Sequence, residues 1–261
     1  MELRAGIRVL VTGASRGIGE AIARAFAARG CTLGLVARAV EPLELLAASL
    51  PGHGHVALPG DVSEAPSIAR AVREFGRVDV LVVNAGITHY MPFAELPLEK
   101  AEQMVRVNWL GTLYTVKAAL PAMLELRRGH IVVVSSGGGV RGFPWAAVYN
   151  GTKAAQRAFA EALRHELHGT GVSVTTVYPG EVATSLHDHE LDHMPDWYHL
   201  DRRSPAGPLG EKVVEAVEHD RREVFYPPIV RLLRVVNGVA PRAADVILRR
   251  MLGESAAPRR D

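Results

Sequence analysis

Residues 7–19 read Ile-Arg-Val-Leu-Val-Thr-Gly-Ala-Ser-Arg-Gly-Ile-Gly, and Glu20–Arg29 is rich in alanine. The first six residues are mostly apolar and β-branched, which is typical of a buried strand, whereas the alanine-rich run predicts a helix. Glycines between a strand and a helix allow a tight turn, and the start of the helix offers free N–H groups to a phosphate. Glycines also cluster in ordinary turns, so the flanking strand and helix are what favour a phosphate-binding βα unit here.

The alternation of strand and helix continues along the chain. Further strands are predicted at Cys31–Ala37, His55–Leu58, Val78–Val83, His130–Ser135, Val172–Tyr178 and Glu223–Tyr226. Helices are predicted between them at Glu41–Leu50, Ala65–Phe75, Glu99–Leu126, Ala146–His168 and Pro205–Asp220. This order builds a parallel sheet with right-handed crossovers. We therefore expect residues 1–226 to form one α/β domain, a Rossmann-like doubly wound parallel sheet of about seven strands with helices on both faces.

Several polar or glycine residues follow directly after predicted strands. They are Gly13, Asp61, Asn84, Ser136 and Pro179. The carboxyl ends of parallel strands meet along one edge of a sheet, and open α/β sheets bind their ligands outside that edge. The sequence therefore predicts one cleft that gathers these positions, although they lie far apart along the chain.

A tyrosine and a lysine lie four residues apart on a predicted helix, as Tyr149 and Lys153, with Ser136 thirteen residues upstream of the tyrosine. The helical period places the phenol and the ammonium on one face. A cation beside a phenol lowers its pKa from about 10, which suits proton transfer to or from an oxygen atom. Lysine is rare in this chain, with four among 30 Lys and Arg, so its position here is informative. Taken alone, such a pair is more often a surface contact.

Together these segments resemble the short-chain dehydrogenase/reductase family across residues 5–226. Six motifs occur in the family's order: Thr12-Gly13-x3-Gly17-Ile18-Gly19, Asp61-Val62, Asn84-Ala85-Gly86, Asn108, the set Ser136, Tyr149 and Lys153, and Pro179-Gly180 with Thr184. The chain departs from the family's pattern at Val83, where an asparagine is usual, and at Gly151-Thr152, where small residues such as Ala-Ser are usual. Neither departure changes a reacting group.

The resemblance implies a role for each motif. Tyr149 is expected to be the acid in reduction and the base in oxidation, Lys153 to lower its pKa and bind the nicotinamide ribose, and Ser136 to bind the substrate carbonyl. Asn108 is expected to hold a water that connects to the lysine. The predicted cofactor-binding residues are Gly13, Ser15, Arg16, Gly17, Ile18, Gly19, Arg38, Asp61, Val62, Asn84, Ala85, Gly86, Tyr149, Lys153, Pro179, Gly180, Val182 and Thr184. The simpler alternatives are a backbone cap for Ser136 and a mere helix distortion for Asn108.

Charge favours NADP(H) as the cofactor. Proteins that prefer NAD place an acidic residue near the end of the second strand, where it binds the ribose hydroxyls. Here that strand ends in Arg38, and Arg16 lies inside the glycine turn. Guanidinium groups suit a 2′-phosphate well. Either arginine alone is as readily a solvated surface charge, but two at one place favour NADP(H), with NAD(H) as the alternative.

The predicted substrate pocket is apolar and aromatic. Its residues are His89, Gly137, Phe143, Trp145 and Trp197, with Tyr90, Met194 and Tyr198 nearby. Such a lining suits a bulky hydrophobic ketone or alcohol, although each residue is equally consistent with ordinary packing. The segment 186–200 also holds His187, His189, His193 and His199. Their irregular spacing matches no zinc motif, so we predict a polar substrate lid and no metal.

Composition argues against several classes of protein, namely nucleic-acid-binding, disulfide-bonded, secreted and membrane-spanning proteins. A formal net charge of +2 gives no case for nucleic acid, and a single cysteine, Cys31, excludes an internal disulfide. The first strand begins within a few residues of Met1, which we interpret as no room for a secretory signal, and no uncharged run is long enough to span a bilayer. We therefore expect a cytoplasmic protein with a small-molecule substrate, which the family resemblance makes a homo-dimer or homo-tetramer.

Residues 227–261 form a basic extension with interleaved apolar residues. From Arg221 onward nine arginines stand against four acidic residues, a local charge of +5. The favoured interpretation is an amphipathic helical pair packed on the same domain or on a second subunit. The alternative is a peripheral contact with an anionic membrane.

The sequence thus predicts an NADP(H)-dependent oxidoreductase that interconverts a ketone or aldehyde and an alcohol by hydride transfer, with Tyr149 as acid and base, on a lipid-like, steroid-like or aromatic substrate. The alternatives are an NAD-dependent alcohol dehydrogenase and a non-catalytic dinucleotide-binding sensor. A sensor has no need of a proton shuttle, so the complete set of Ser136, Tyr149 and Lys153 favours an enzyme. A sugar-nucleotide epimerase is disfavoured because its usual glycine spacing and longer substrate domain are missing.

Overall fold

The computed structural model describes residues 1–184 and 203–252, without the side chains of residues 247–249, 251 and 252. Its strands form one parallel sheet in the order β3-β2-β1-β4-β5-β6-β7. The strands are β1 (Arg8–Thr12), β2 (Thr32–Ala37), β3 (Val56–Pro59), β4 (Val80–Val83), β5 (Gly129–Val134), β6 (Val172–Pro179) and β7 (Glu223–Tyr226). The order reverses between β1 and β4, which creates a switch point at the carboxyl edge of the sheet.

Helices cover both faces of the sheet. They are α1 (Gly17–Ala28), α2 (Val40–Ser49), α3 (Ala65–Phe75), α4 (Leu98–Met104), α5 (Gly111–Glu125), α6 (Ala147–Glu166), α7 (Gly207–Glu218), α8 (Ile229–Val239) and α9 (Pro241–Leu252). The predicted doubly wound α/β fold class is confirmed. No helix within the described ranges combines the length and the apolar character that crossing a bilayer requires.

Two apolar cores lie on opposite faces of the sheet, because successive side chains of a strand point to opposite sides. In β1, Val9 and Val11 belong to the core under α1, α2 and α7, whereas Leu10 belongs to the core under α3, α5 and α6. All three side chains are fully buried. Burial on both faces explains why β1 reads as a continuous apolar run in the sequence.

The strands and helices lie close to their predicted positions, with two corrections. Cys31 is buried as expected, but it precedes β2 instead of lying within it. The helix predicted over Glu99–Leu126 is divided by a π-helical turn at Val105–Leu110, which separates α4 from α5. Periodicity alone misses such a turn because the helical pattern continues on either side of it.

The helices α8 and α9 contact the sheet domain through a few polar bridges. Arg234 of α8 pairs with Glu223 of β7 and with Glu161 of α6. Arg141 pairs with Asp245 of α9. Val230 is the buried apolar contact of α8, only 4% exposed. These contacts hold one side of each helix against the domain.

Candidate active site

The glycine turn between β1 and α1 is built so tightly that side chains do not fit. Gly13 and Gly17 have φ angles of +65° and +62°, in the left-handed region that glycine adopts at little cost. A Cβ added to Gly19 would lie 2.1 Å from the carbonyl oxygen of Gly13. No side chain caps the start of α1, so its first N–H groups remain available for an anion.

The segment after β4 holds this turn in place. The Asn84 side-chain amide donates to the carbonyl oxygens of Thr12 at 3.0 Å and Gly13 at 3.1 Å. The Thr12 hydroxyl accepts from the backbone N–H groups of Asn84 at 3.0 Å and Ala85 at 3.3 Å. A Cβ added to Gly86 would lie 3.5 Å from the Lys153 Nζ atom. Residues 84–86 therefore connect the glycine turn to the lysine.

Ser136, Tyr149 and Lys153 lie together, as the sequence predicted. The Ser136 side chain lies close enough to the Tyr149 hydroxyl to lower its pKa. The Lys153 ammonium lies 5.8 Å from the centre of the Tyr149 ring and donates to the Val134 carbonyl oxygen at 3.0 Å. Tyr149 and Lys153 are 7% and 4% exposed. Ser136 follows β5 and the other two lie one turn apart on α6, so strand end and helix face meet.

Burial governs the protonation of this group. It raises the pKa of Tyr149 above its ordinary value, and the hydrogen bond from Ser136 opposes that rise. Burial also lowers the pKa of Lys153 to about 7. The expectation that Lys153 lowers the pKa of Tyr149 is therefore not what this structure shows. The physical reason is that a lysine with a pKa of about 7 carries only part of its charge near neutrality.

The two adjacent serines have different partners. The Ser135 hydroxyl donates to the main-chain carbonyl of Lys153 at 2.8 Å and is buried. The Ser136 hydroxyl accepts from the backbone N–H of Gly138 at 3.1 Å and lies near Tyr149, whose pKa it lowers. Ser136 therefore combines the capping contact, which the sequence offered as an alternative, with contact to the proposed acid.

Asn108 lies in the π-helical turn and holds several segments together. Its side chain accepts from the Ile87 N–H at 2.8 Å and donates to the Ile87 carbonyl at 2.9 Å and to Thr152 at 3.1 Å. Thr152, one of the departures from the family's pattern, also donates to the Tyr149 carbonyl at 2.7 Å. Asn108 therefore lies in the distorted helical turn and also hydrogen-bonds to neighbouring segments. Its role in holding a water stays a prediction.

Sequence reasoning missed Gln156. Its amide donates to the main-chain oxygen of Asn108 at 2.9 Å and to the Thr112 hydroxyl at 2.7 Å, and the residue is fully buried. Thr112 donates to the same Asn108 oxygen at 2.7 Å. The available signal was spacing, since Gln156 lies seven residues after Tyr149 and three after Lys153, on one helical face.

The predicted aromatic wall lies beside the tyrosine. Phe143 and Trp145 pack against a small cluster that contains Tyr90 and Tyr149. The rings of Tyr90 and Phe143 are stacked with centroids 6.3 Å apart. Trp145 has a φ of +65°, which is unusual for a bulky residue and fixes the loop before α6.

The structure places two of the other predicted pocket residues and does not describe the third. His89 is half-buried, and Gly137 lies close to Pro179, since a Cβ added to it would be 3.5 Å from that residue's oxygen. Trp197 and the histidines of segment 186–200 lie outside the described residues. Within residues 1–184 and 203–252, no three His, Cys, Asp or Glu side chains are placed to hold a metal ion.

The segment after β6 reaches back to the glycine turn. The Gly180 N–H donates to the Tyr226 carbonyl at 2.6 Å, and Val182 forms a parallel bridge with Ser204. A Cβ added to Gly17 would lie 3.0 Å from the Cβ of Thr184. Pro179, Gly180, Val182 and Thr184 therefore run along the rim from β6 toward α1.

The positions proposed for the adenine end of a cofactor are more open. Arg16 and Arg38 are exposed, and neither forms an ion pair with another described residue. The Asp61 carboxylate accepts from the Ser63 N–H at 2.9 Å and hydroxyl at 2.7 Å. Val62 is buried, whereas Ser15 and Ile18 are half-buried.

A cavity of about 760 Å³ adjoins the glycine turn but does not include Tyr149. Arg16, Gly17 and Thr184 line it together with residues of α1 and α7. The candidate reaction site lies at Tyr149 and not in this cavity, because a reaction site needs groups that exchange protons.

Comparison with known proteins agrees with the motifs. A model of the short chain dehydrogenase family matches residues 8–194. The dehydrogenase/reductase SDR family member 7B of Mus musculus is 31% identical over 249 residues, which cover 89% of this chain and 77% of that protein. The family resemblance inferred from the motifs is thereby confirmed.

Solved structures share the fold. A short chain dehydrogenase from Burkholderia cenocepacia in complex with NADP has a TM-score of 0.82 and 26% identity, covering 95% of this chain and 99% of that one. A 3-ketoacyl-(acyl-carrier-protein) reductase from Brucella melitensis complexed with NADH has a TM-score of 0.77 and 26% identity, covering 85% and 97%. Structures of this fold therefore hold either form of the nicotinamide cofactor.

Proposed function

The chain belongs to the short-chain dehydrogenase family of oxidoreductases, and from that premise we propose that it interconverts a ketone or aldehyde and an alcohol with NADP(H). The observation that carries this proposal is the buried pair of Tyr149 and Lys153, with the Lys153 ammonium beside the Tyr149 ring and Ser136 close enough to lower the Tyr149 pKa. A surface tyrosine–lysine pair would be exposed, whereas this one is enclosed at the carboxyl edge of the sheet.

The residues present fit a dinucleotide. The glycine turn leaves no room for side chains, and the uncapped start of α1 offers N–H donors to a pyrophosphate. A nicotinamide cofactor, when bound, supplies or accepts the hydride. In this proposal the glycine turn, residues 84–86 and residues 179–184 hold that cofactor, and Lys153 binds its ribose.

The protein's own groups handle the proton. Ser136 positions the substrate oxygen, and Tyr149 gives its phenolic proton to that oxygen in reduction or takes a proton from the alcohol in oxidation. The raised pKa of Tyr149 keeps the phenol protonated, which suits the reductive direction. Tyr149 and Lys153 are buried and Ser136 is half-buried, so polar contacts within this group are stronger than in open solvent.

Replacing Tyr149 with phenylalanine tests the proposal. Tyr149→Phe removes only the hydroxyl, so NADPH oxidation with a responsive ketone should fall by at least about a hundredfold, as for loss of a general acid. Fluorescence titration should show NADPH binding within a few-fold of the unchanged protein. Tyr114→Phe on α5 is the matched control and should leave turnover unchanged. Turnover by Tyr149→Phe at the original rate would disprove the assigned role.

The preference for NADP(H) rests on Arg16 and Arg38. Each charge-assisted contact with a 2′-phosphate contributes roughly 1.5–3 kcal/mol, so Arg38→Ala should raise the Michaelis constant for NADPH about tenfold or more. The same change should leave the constant for NADH unaltered, and Arg73→Ala on α3 serves as a control. Faster turnover with NADH than with NADPH at equal low concentration would instead assign NAD(H).

The aromatic wall of Tyr90, Phe143 and Trp145 favours a bulky apolar substrate, such as a steroid-like, fatty-acyl or aromatic carbonyl. We further propose that residues 1–226 form the catalytic domain, that residues 227–261 pack on it, and that the protein is a cytoplasmic homo-dimer or homo-tetramer. A panel of ketones followed by NADPH absorbance would identify the substrate class. A response confined to small polar ketones would contradict the apolar pocket.

A further inference from the structure

The outer face of α8 is apolar although it points away from the protein. Leu232, Val235 and Val239 are 55%, 56% and 82% exposed, and their spacing places them on one helical stripe. Val230, which faces the domain, is 4% exposed. Single exposed apolar residues are common, but a stripe opposite the buried side of a helix indicates that a partner surface covers it.

Exposed arginines lie beside this stripe on α8 and along the neighbouring helix α9. Arg231 lies beside it on α8, and Arg242 and Arg250 lie four residues on either side of Val246 on α9. All three arginines are exposed, and Val246 is 49% exposed. The ion pairs of the described residues in these helices involve Arg234 and Asp245. Arg231, Arg242 and Arg250 therefore carry charge that no described acidic side chain offsets.

The inner side of α8 touches the loops of the candidate active site. A Cβ added to Gly180 would lie 3.0 Å from Val230, and one added to Gly137 would lie 3.6 Å from it. Gly137 follows Ser136 directly, and Gly180 belongs to the proposed cofactor rim. An α-helix with its side chains is about 10 Å across, so the exposed stripe lies roughly one helix diameter from those loops.

We propose that α8 and α9 dock the protein on an anionic membrane surface, with the stripe of Leu232, Val235 and Val239 in the interface and the three arginines against acidic headgroups. Amphipathic helices with a basic flank bind membranes in this in-plane manner. A second copy of the chain fits less well, because a two-fold contact through the same face would bring its arginines together. Docking here is independent of the reaction proposed above.

Vesicle flotation of the full chain tests the docking. The protein should float with vesicles of phosphatidylcholine mixed with phosphatidylglycerol, should float poorly with phosphatidylcholine alone, and should be released by salt. Arg231→Gln with Arg242→Gln should lower the partition coefficient about 25-fold, since each arginine contributes about 1 kcal/mol near an anionic surface. Leu232→Gln with Val235→Gln should lower it about tenfold or more.

A control separates this surface from exposed apolar residues in general. Leu45→Gln replaces a leucine of α2 that is 65% exposed, and it should float like the unchanged protein. Thermal unfolding of each variant should match the original, because all five side chains are exposed. Absence of flotation by the unchanged protein, or equal flotation with both vesicle types, overturns the proposal.

Sedimentation velocity tests whether a second copy of the chain, instead of a membrane, covers this face of α8. If Leu232→Gln with Val235→Gln splits an oligomer and leaves flotation unchanged, the face binds a second copy and the membrane proposal is wrong. If the variant keeps its sedimentation coefficient and loses flotation, the membrane proposal stands. Enzyme activity is not the readout, so failure of the proposed reaction would leave this test intact.

Discussion

Two neighbouring serines show how finely this site is specified. Ser135 and Ser136 differ by one position, yet the Ser135 hydroxyl donates to the main chain of Lys153 whereas Ser136 lies beside Tyr149 and lowers its pKa. Alternation along an extended segment explains the difference, since successive side chains point to opposite sides. The spacing to Tyr149 selected Ser136 from the sequence, and the structure places Ser136 near Tyr149, whereas the partner of Ser135 was visible only in the structure.

The serines make a matched pair of variants. Ser136→Ala should lower kcat by about a hundredfold or more, as for loss of a preorganised hydrogen-bond donor. Ser135→Ala removes a structural hydrogen bond, so it should cost about 1 kcal/mol of unfolding free energy and change kcat little. Steady-state kinetics and urea unfolding on both variants check this. Equal loss of kcat in the two variants would contradict the separate roles.

His130 gives the protein a predictable sensitivity to acid. It is 2% exposed, its ring nitrogen bonds the Thr175 hydroxyl at 2.8 Å, and burial lowers its pKa to about 4. The unfolded chain, with a pKa near 6.5, therefore binds the proton first as the pH falls. The contribution of His130 to the free energy of unfolding is therefore fully present above the unfolded pKa and is lost as the pH falls toward 4. Between pH 7 and pH 5 this loss is about 2 kcal/mol.

Urea unfolding at those two pH values checks the sign. His130→Gln keeps an N–H donor for Thr175 but does not titrate, so its loss of stability on acidification should be about 2 kcal/mol smaller than that of the unchanged protein. His165→Gln, at an exposed position of α6, should behave like the unchanged protein. An identical pH response in His130→Gln would show that His130 does not titrate in this range.

At the scale of elements, the sequence predicted the positions of those strands and helices that have a regular apolar pattern. Strands such as β1 and β7 were placed within one residue because their apolar runs are short and bounded. The sequence indicated a mild interruption at Asn108 and Gly111 but not a π-helical turn at Val105–Leu110, where Gln156 of α6 donates to the Asn108 main-chain oxygen. A tertiary contact of this kind leaves no local pattern, although Asn108 marked the position.

Alanine substitutions at two glycines test how tightly the helices and turns around them are packed. Gly19→Ala should weaken NADPH binding strongly and cost roughly 1–3 kcal/mol of stability, because the new methyl group overlaps the Gly13 carbonyl. Gly151→Ala on α6 meets no atom within 4 Å, so it should stabilise the protein by about 1 kcal/mol with activity unchanged. Thermal unfolding and NADPH titration measure both. Ready accommodation of alanine at Gly19 would mean that the turn is looser than described.

At the scale of the whole molecule, the parallel sheet brings distant residues to one edge. Gly13, Asn84 and Ser136 follow β1, β4 and β5, which are neighbours in the sheet. Strand alternation predicted this gathering from the sequence, because the carboxyl ends of parallel strands share an edge. The protonation of the site was not predictable, since the pKa values of Tyr149 and Lys153 depend on burial, which only the assembled fold determines.

The central claim is that this cleft transfers hydride while Tyr149 handles the proton. The most direct measurement incubates the protein with a responsive ketone and NADPH carrying deuterium on both positions of nicotinamide C4, then weighs the alcohol by mass spectrometry. The account predicts an alcohol carrying one deuterium on its carbinol carbon, with none formed by Tyr149→Phe above background. An alcohol without deuterium, or equal labelled product from Tyr149→Phe, would contradict it.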